Sequence, residues 1–262
     1  MRILSYSFDT TLTMDEAVRD HSFVLRCQPP SSRAQTVLDG QTVVSPGCTL
    51  ASQTDGFGNL LQVGRVGRPH RTFSFYSAGM VMVDDNAKMD VPAHPMYRNP
   101  SAYAAPDGEI RAFAKDILLV RGNAPAWDKA QLLSHALFEH MVYEQGVTDV
   151  HTTAAEAFSL GRGVCQDYAH ILIALLRACG IPARYVNGLM MGHGATHAWV
   201  EAHDGRRWRG IDPTNDRLAD EGYITLAHGR DFSDCPIEQG VFRGGARQSQ
   251  NVQVVVEEQR NY

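Results

Sequence analysis

The sequence lacks any long apolar segment. Its longest unbroken apolar run covers only residues 171–176, whereas about 20 such residues are needed to cross a bilayer. The first residues include Arg2 and Asp9 but no sustained apolar core, so they predict a strand rather than a signal peptide. These absences predict a protein with no membrane partner and a cytoplasmic location.

Cysteine is sparse as well, and basic residues form no cluster. The five cysteines are odd in number and include no Cys-x-x-Cys pair, which argues against a disulfide framework and the usual zinc patterns. The 24 Lys and Arg residues are outnumbered by 29 Asp and Glu, giving a net charge of −5. No nucleic-acid partner is therefore expected. His193 and His197 have zinc-like ligand types but lie in a glycine-containing loop without a His-Glu-x-x-His motif, and no glycine pair forms a dinucleotide fingerprint. We therefore predict neither a metal nor any other cofactor.

The first third of the chain has the two-residue period of β-strands. Alternating apolar residues predict several short strands, and the turn Asp-Gly-Phe-Gly-Asn at residues 55–59 has the glycines of a tight hairpin. Together these patterns predict an antiparallel N-terminal β-sandwich domain over residues 1–88. Residues 89–106 contain four prolines, which interrupt regular structure and indicate a connector.

After the connector the apolar period changes to about 3.6 residues. The spacing predicts three helices, over residues 109–121, 126–145 and 165–179. Gly180 suits the left-handed position that ends the third helix. The strand patterns that follow, the last of them QNVQVVVEE, predict an antiparallel sheet. The fold class is therefore α+β, with a second domain over residues 107–262.

One cysteine opens the third predicted helix. At its first turn, Cys165 lies beside backbone N–H groups without partners and at the positive end of the helix dipole, both of which favour a nucleophilic thiolate. A carboxylate as close as Asp167 opposes that charge. A histidine partner is therefore needed for Cys165 to act as a nucleophile.

His197 and Asp212 provide such a partner and its support. Alternation along the strand THAWVEA places His197 and Trp199 on one face, and Asp212 ends the next strand. If the two strands are antiparallel neighbours, Asp212 can orient the imidazole as the third member of a triad. Asn215 is the alternative orienting residue, and Trp199 is expected to pack behind the histidine.

Three blocks in this order, GVCQDYA, HAWVE and DPTN, resemble the signature of the transglutaminase-like superfamily of papain-type cysteine enzymes. The DGFGN turn, TTAAEAFSLGRG and GRDFSDCPIEQGVFRGG are similar to segments of the bacterial transglutaminase-like cysteine peptidases. The resemblance implies a papain-like second domain with Cys165 as nucleophile, His197 as general base and acid, and Asp212 as orienting group.

These residues predict a cysteine-dependent hydrolase that cleaves amide bonds of peptides or proteins through a thioester. An amine could resolve the same thioester instead of water, which would make the protein a transamidase. A catalytically silent binding module on the same scaffold is a third possibility. The sequence leaves open the substrate, the second oxyanion donor, the role of the first domain and the oligomeric state.

Overall fold

Strands come first in the chain, helices follow, and a second group of strands ends it. The computed structural model describes residues 1–87, 89–119 and 124–259. In these ranges the helices are α1 (Gly108–Leu118), α2 (Ala126–His140), α3 (Ala154–Leu160) and α4 (Cys165–Ala178). The strands are β1 (Arg2–Leu25), β2 (Gln35–Ser45), β3 (Ala51–Thr54), β4 (Leu60–Val66), β5 (His70–Val83), β6 (Val142–Tyr143), β7 (Arg162–Gly163), β8 (Ala183–Met190), β9 (Gly192–Gly194), β10 (His197–His203), β11 (Trp208–Asp212), β12 (Arg217–Leu218), β13 (Tyr223–Gly229), β14 (Glu238–Arg243) and β15 (Gln248–Glu258). The predicted α+β class is confirmed.

The first strands form a curled antiparallel sheet with eight strands in the described part of the chain. Strand β1 extends over 24 residues and pairs with β5 and β15 along its first half, then with β4 and β14 at its end. Its register shifts near Asp20, whose φ is 52°, so β1 bends and serves both parts of the sheet. Alternate side chains such as Phe8 and Phe23 fill the core. One long strand thus replaces several of the short strands expected from the sequence.

The end of the chain returns to this first sheet. The segment QNVQVVVEE forms a strand as predicted, but this strand, β15, pairs with the first half of β1. The expectation that it joins the sheet of the second domain is therefore wrong, because Val254 and Val256 alternate into the first core. The domain limits stay predictions, and residues 88 and 260–262 at two of these limits lie outside the described ranges.

Helix α4 is the central helix of the second part of the molecule. All residues from Asp167 to Arg177 are buried, and the apolar ones pack against α1, α2, α3 and β10. The helix begins at Cys165 and is followed by Gly180, whose φ of 72° is the left-handed conformation predicted there. No helix within the described ranges is long and apolar enough to cross a membrane.

The sequence also predicts α1 and α2, but it does not predict α3. Helices α1 and α2 confirm the predicted helices that begin near residues 109 and 126, although α2 ends at His140, before the predicted end. The predicted end of the first helix at Arg121 lies outside the described residues. The short α3, with a capping box between Thr153 and Glu156, is too brief to show a helical period.

The strands after α4 form a second antiparallel sheet in the order β12-β11-β10-β8-β13. Ala198 and Val200 point from β10 to the helices and join their core, so the alternate residues of β10 face the other side of the sheet. Strand β13 lies at one edge, and its Ile224 and Leu226 are buried in the core of the first sheet. Strand β13 therefore belongs to the second sheet but packs its side chains into the core of the first.

The proline-rich connector is held down by one buried arginine. Arg177 of α4 donates to the backbone oxygens of Tyr97 (3.1 Å) and Ala104 (3.3 Å) and to Ser101 Oγ (2.8 Å). Its other guanidinium hydrogens reach the backbone oxygens of Ala183 and Arg230. The first three of these bonds attach the connector to the C-terminal end of α4, the end opposite Cys165.

Candidate active site

The start of α4 is built around Asp167. Its Oδ2 accepts the backbone N–H of Val164 at 2.7 Å and the hydroxyl of Thr148 at 2.7 Å. Gly163 passes so close that a Cβ atom there would lie 2.5 Å from Asp167 Oδ2, so only glycine fits without displacing this carboxyl. These contacts fix the turn that presents Cys165 at the first position of the helix.

The buried position of Asp167 affects its own ionisation. Burial raises its pKa, although its hydrogen bonds to Val164 and Thr148 act in the opposite direction. The expected opposition of this carboxyl to a negative charge on Cys165 stays a prediction. Through its hydrogen bonds the side chain serves to cap the helix.

His197 and Asp212 meet between two adjacent strands of the second sheet. Strands β10 and β11 are antiparallel neighbours, with Val200 opposite Ile211. His197 Nε2 lies 2.8 Å from Asp212 Oδ2. The histidine is 8% exposed and the aspartate is fully buried, so their interaction is shielded from solvent. The structure thus brings together the pair that strand alternation predicted.

The imidazole also contacts Cys165, and these two partners set its charge. Burial lowers the pKa of His197, but hydrogen bonds to Asp212 and Cys165, together with their negative charges, raise the pKa to about 9. Asp212 engages Nε2 of the ring, so Nδ1 remains available to the sulfur. At neutral pH the imidazole is therefore protonated, which gives Cys165 a cationic neighbour.

Asp212 is held by four donors besides His197. Its Oδ1 accepts the backbone N–H groups of Thr214 (3.0 Å) and Asn215 (3.3 Å), and its Oδ2 accepts the Asn215 amide and the Tyr223 hydroxyl, each at 2.7 Å. Burial raises the pKa of Asp212, yet the bonds from His197, Asn215 and Tyr223 outweigh burial and lower it. Asn215, the alternative orienting residue, thus contacts Asp212 in this structure.

Tyr223 is the member of this network that sequence reasoning missed. It lies at the start of β13, 4% exposed, and its oxygen also accepts Arg217 Nε at 2.7 Å. Local sequence carried no signal for it, because β13 is placed next to β8 rather than next to β11. Trp199, 2% exposed, packs edge-on against Tyr223 at 5.3 Å between ring centres and stacks on the His197 ring at 6.4 Å, so it packs against the histidine as predicted.

The other four cysteines lie in different surroundings from Cys165. Cys27 and Cys235 are buried, and burial raises the pKa of both, to about 11 for Cys27. Burial also raises the pKa of Cys179, and Cys48 is partly exposed in the loop between β2 and β3. Within the described residues, Cys165 is the cysteine that a protonated histidine accompanies.

Comparisons with known proteins agree with both halves of the molecule. The model of the transglutaminase-like superfamily matches residues 111–213, and that of the bacterial transglutaminase-like N-terminal region matches residues 4–82. An uncharacterized protein of Mycobacterium tuberculosis is 30% identical over 248 residues, covering 81% of this chain and 79% of that protein.

Two further comparisons concern the fold and one part of the chain. A candidate cysteine protease from Cytophaga hutchinsonii has the same fold, with a TM-score of 0.82 and 22% identity over 100% of this chain and 93% of that one. A protein-glutamine gamma-glutamyltransferase of Pseudomonas aeruginosa is 30% identical over 133 residues, which are 46% of this chain and 19% of that protein.

Proposed function

Because the chain belongs to the transglutaminase-like superfamily, we propose that it is a cysteine-dependent amide-bond hydrolase, a cysteine peptidase of the transglutaminase-like kind. The observation that carries this proposal is the position of one imidazole, with Nε2 on Asp212 at 2.8 Å and the Cys165 thiol as its other partner. A nucleophile, a proton carrier and an orienting carboxylate interacting in this order would form the apparatus that covalent catalysis requires.

Each group has a defined part in the reaction. The anionic sulfur of Cys165 attacks the substrate carbonyl carbon, and the backbone N–H at the start of α4 stabilises the negative oxygen that forms. Protonated His197 gives its proton to the leaving nitrogen as the C–N bond breaks, which leaves a thioester. Neutral His197 then removes a proton from water, the resulting hydroxide attacks the thioester, and the acid product and the Cys165 thiolate are released.

The substrate we propose is a peptide or protein amide. Similarity to a protein-glutamine gamma-glutamyltransferase supports a second candidate, in which an amine rather than water attacks the thioester. The steps up to the thioester are the same for both, so the product distinguishes them. A cytoplasmic location, without nucleic-acid or membrane partners, stays our prediction.

The experiment is the cleavage of a diverse peptide library, followed by mass spectrometry, with a labelled primary amine present. We expect new free carboxyl ends, and we expect Cys165→Ala to abolish them while Cys48→Ala leaves them unchanged. Amine incorporation that depends on Cys165 would identify a transamidase. Undiminished cleavage by Cys165→Ala would refute the proposal. Equal reactivity of Cys165 and Cys48 towards iodoacetamide, with no turnover, would indicate a silent binding module.

A further inference from the structure

Two side-chain amides from the first part of the chain bind the free edge of β13. Gln35 Nε2 donates to the backbone oxygen of Thr225 at 2.9 Å, and its Oε1 accepts the Thr225 N–H at 2.8 Å. Asn59 makes the same pair of bonds with His228, each at 2.8 Å. Each amide therefore occupies the place of one peptide group of a neighbouring strand.

Both amides are themselves fixed in the first sheet domain. Gln35 Nε2 also donates to the backbone oxygen of Pro30 at 2.9 Å. Asn59 belongs to the predicted hairpin turn, where its amide donates to Asp55 Oδ2 at 3.0 Å while its backbone N–H donates to Asp55 Oδ1 at 2.9 Å. Gln35 is 6% exposed and Asn59 is fully buried, so water does not compete for these bonds.

On one side, the edge of β13 borders an open space instead of packed side chains. A cavity of about 390 Å³ lies there, and its lining includes Gln35, Gly58, Trp199, Tyr223, Thr225 and His228. Atoms that face a cavity lose the contacts that would otherwise fix them. On this face, the polar bonds of Gln35 and Asn59 therefore hold the strand in place.

Strand β13 leads directly to the candidate triad. Tyr223 precedes Thr225 by two residues, and its hydroxyl donates to Asp212 Oδ2 at 2.7 Å, the oxygen that His197 Nε2 also contacts. A displacement of β13 would move this hydroxyl away from the carboxylate. The path from Gln35 to His197 thus runs through its pair of hydrogen bonds to Thr225, then along β13, and then through the two hydrogen bonds that join Tyr223, Asp212 and His197.

We propose that Gln35 and Asn59 are positioning residues of the active site, through which the first sheet domain holds β13, Tyr223 and Asp212 in register with His197. This assignment rests on the proposed function of the triad and gives the first domain a role in catalysis. Neither residue touches the reacting atoms, so each acts only through Tyr223 and Asp212.

The test compares Gln35→Met with Gln62→Met. Gln62 is also 6% exposed, but its amide bonds Ser52 and Gln28 within the first sheet domain, so its loss controls for general destabilisation. We expect Gln35→Met to slow iodoacetamide alkylation of Cys165 at pH 7 about tenfold and to lower the pKa of His197 measured by NMR. Gln62→Met should change neither, even if both variants lower Tm equally.

A double-mutant cycle with Tyr223→Phe tests whether the residues act along one path. Since Tyr223 is the proposed link, Gln35→Met should slow alkylation little further when Tyr223 is already Phe. Additive losses, or a Gln35→Met variant that behaves like Gln62→Met, would overturn the proposal. If Cys165 of the unaltered protein reacts no faster than Cys48, the proposed function fails. The NMR titration of His197 in the same variants then still decides the positioning role.

Discussion

The bond between His197 and Asp212 sets the charge of the imidazole, and Asp212→Asn removes the carboxylate while keeping its shape. Burial alone lowers the pKa of His197, whereas Asp212 and Cys165 together raise it to about 9 from an ordinary value of 6.5. At about 1.4 kcal/mol per pH unit, the difference of about 2.5 between these pKa values corresponds to roughly 3 kcal/mol. Without the carboxylate we expect a pKa of 7 or less, because burial is then opposed by Cys165 alone.

Two measurements follow this change. The NMR signal of His197, assigned among the 11 histidines by its loss in His197→Gln, should titrate near 9 in the unaltered protein and at or below 7 in Asp212→Asn. Turnover at neutral pH should fall by about 10²- to 10⁴-fold. The unaltered protein should also lose stability as the pH rises from 6.5 through about 9, since a raised pKa stabilises the fold only below it.

Asp204→Asn is the matched control. Asp204 Oδ1 accepts two backbone N–H groups of its own turn, those of Arg206 and Arg207, each at 2.9 Å, much as Asp212 Oδ1 does, yet it bonds no histidine. We expect Asp204→Asn to leave the pKa of His197 and the turnover unchanged. If Asp212→Asn leaves the His197 titration near 9, then the carboxylate does not set the charge of the imidazole and the reasoning is refuted.

Three further predictions concern stability. Gly163→Ala should lower the free energy of unfolding by about 1–3 kcal/mol in urea titrations, because its Cβ would lie 2.5 Å from Asp167 Oδ2; an unchanged midpoint would show that Asp167 can move away. Arg177→Met should cost about 3 kcal/mol or more, since five acceptors lose their donor, and proteolysis should then cut within the connector. Burial lowers the pKa of His21 to about 4, so stability should fall as the pH drops from 6.5 to 4, by up to about 1.4 kcal/mol per pH unit. His21→Gln should reduce that slope, and an identical slope would contradict this assignment.

The sequence was informative where a residue's role depends on its immediate neighbours. Cys165 could be placed at a helix start because the apolar period and Gly180 define that helix locally. His197 and Asp212 could be paired because they lie on consecutive strands, which are often neighbours in antiparallel sheets. The helical period could not reveal α3, and the two-residue period could not show that β1 continues through its bend at Asp20, because both features depend on contacts with distant segments.

Residues whose partners are far away in the chain gave no such signal. The sequence correctly identifies Asn59 as a turn residue. Its side-chain amide, however, hydrogen-bonds to His228 of β13, 169 positions later in the chain. For Gln35 the separation is 190 positions, and no period or spacing predicts it. The same holds for β15, whose alternation correctly indicates a strand but does not say which sheet receives it.

The pairing of β1 with β14 and β15 determines how the role of the first domain can be tested. Deleting residues 1–88 would remove the strand that both C-terminal strands pair with, and would expose Ile224 and Leu226 of β13, which are fully buried in the first core. Loss of activity after such a deletion would therefore reflect unfolding as much as any catalytic role. Substitutions such as Gln35→Met remove the hydrogen bonds of one side chain to β13 but leave the apolar core around Ile224 and Leu226 intact. They therefore separate a catalytic role of the first domain from unfolding.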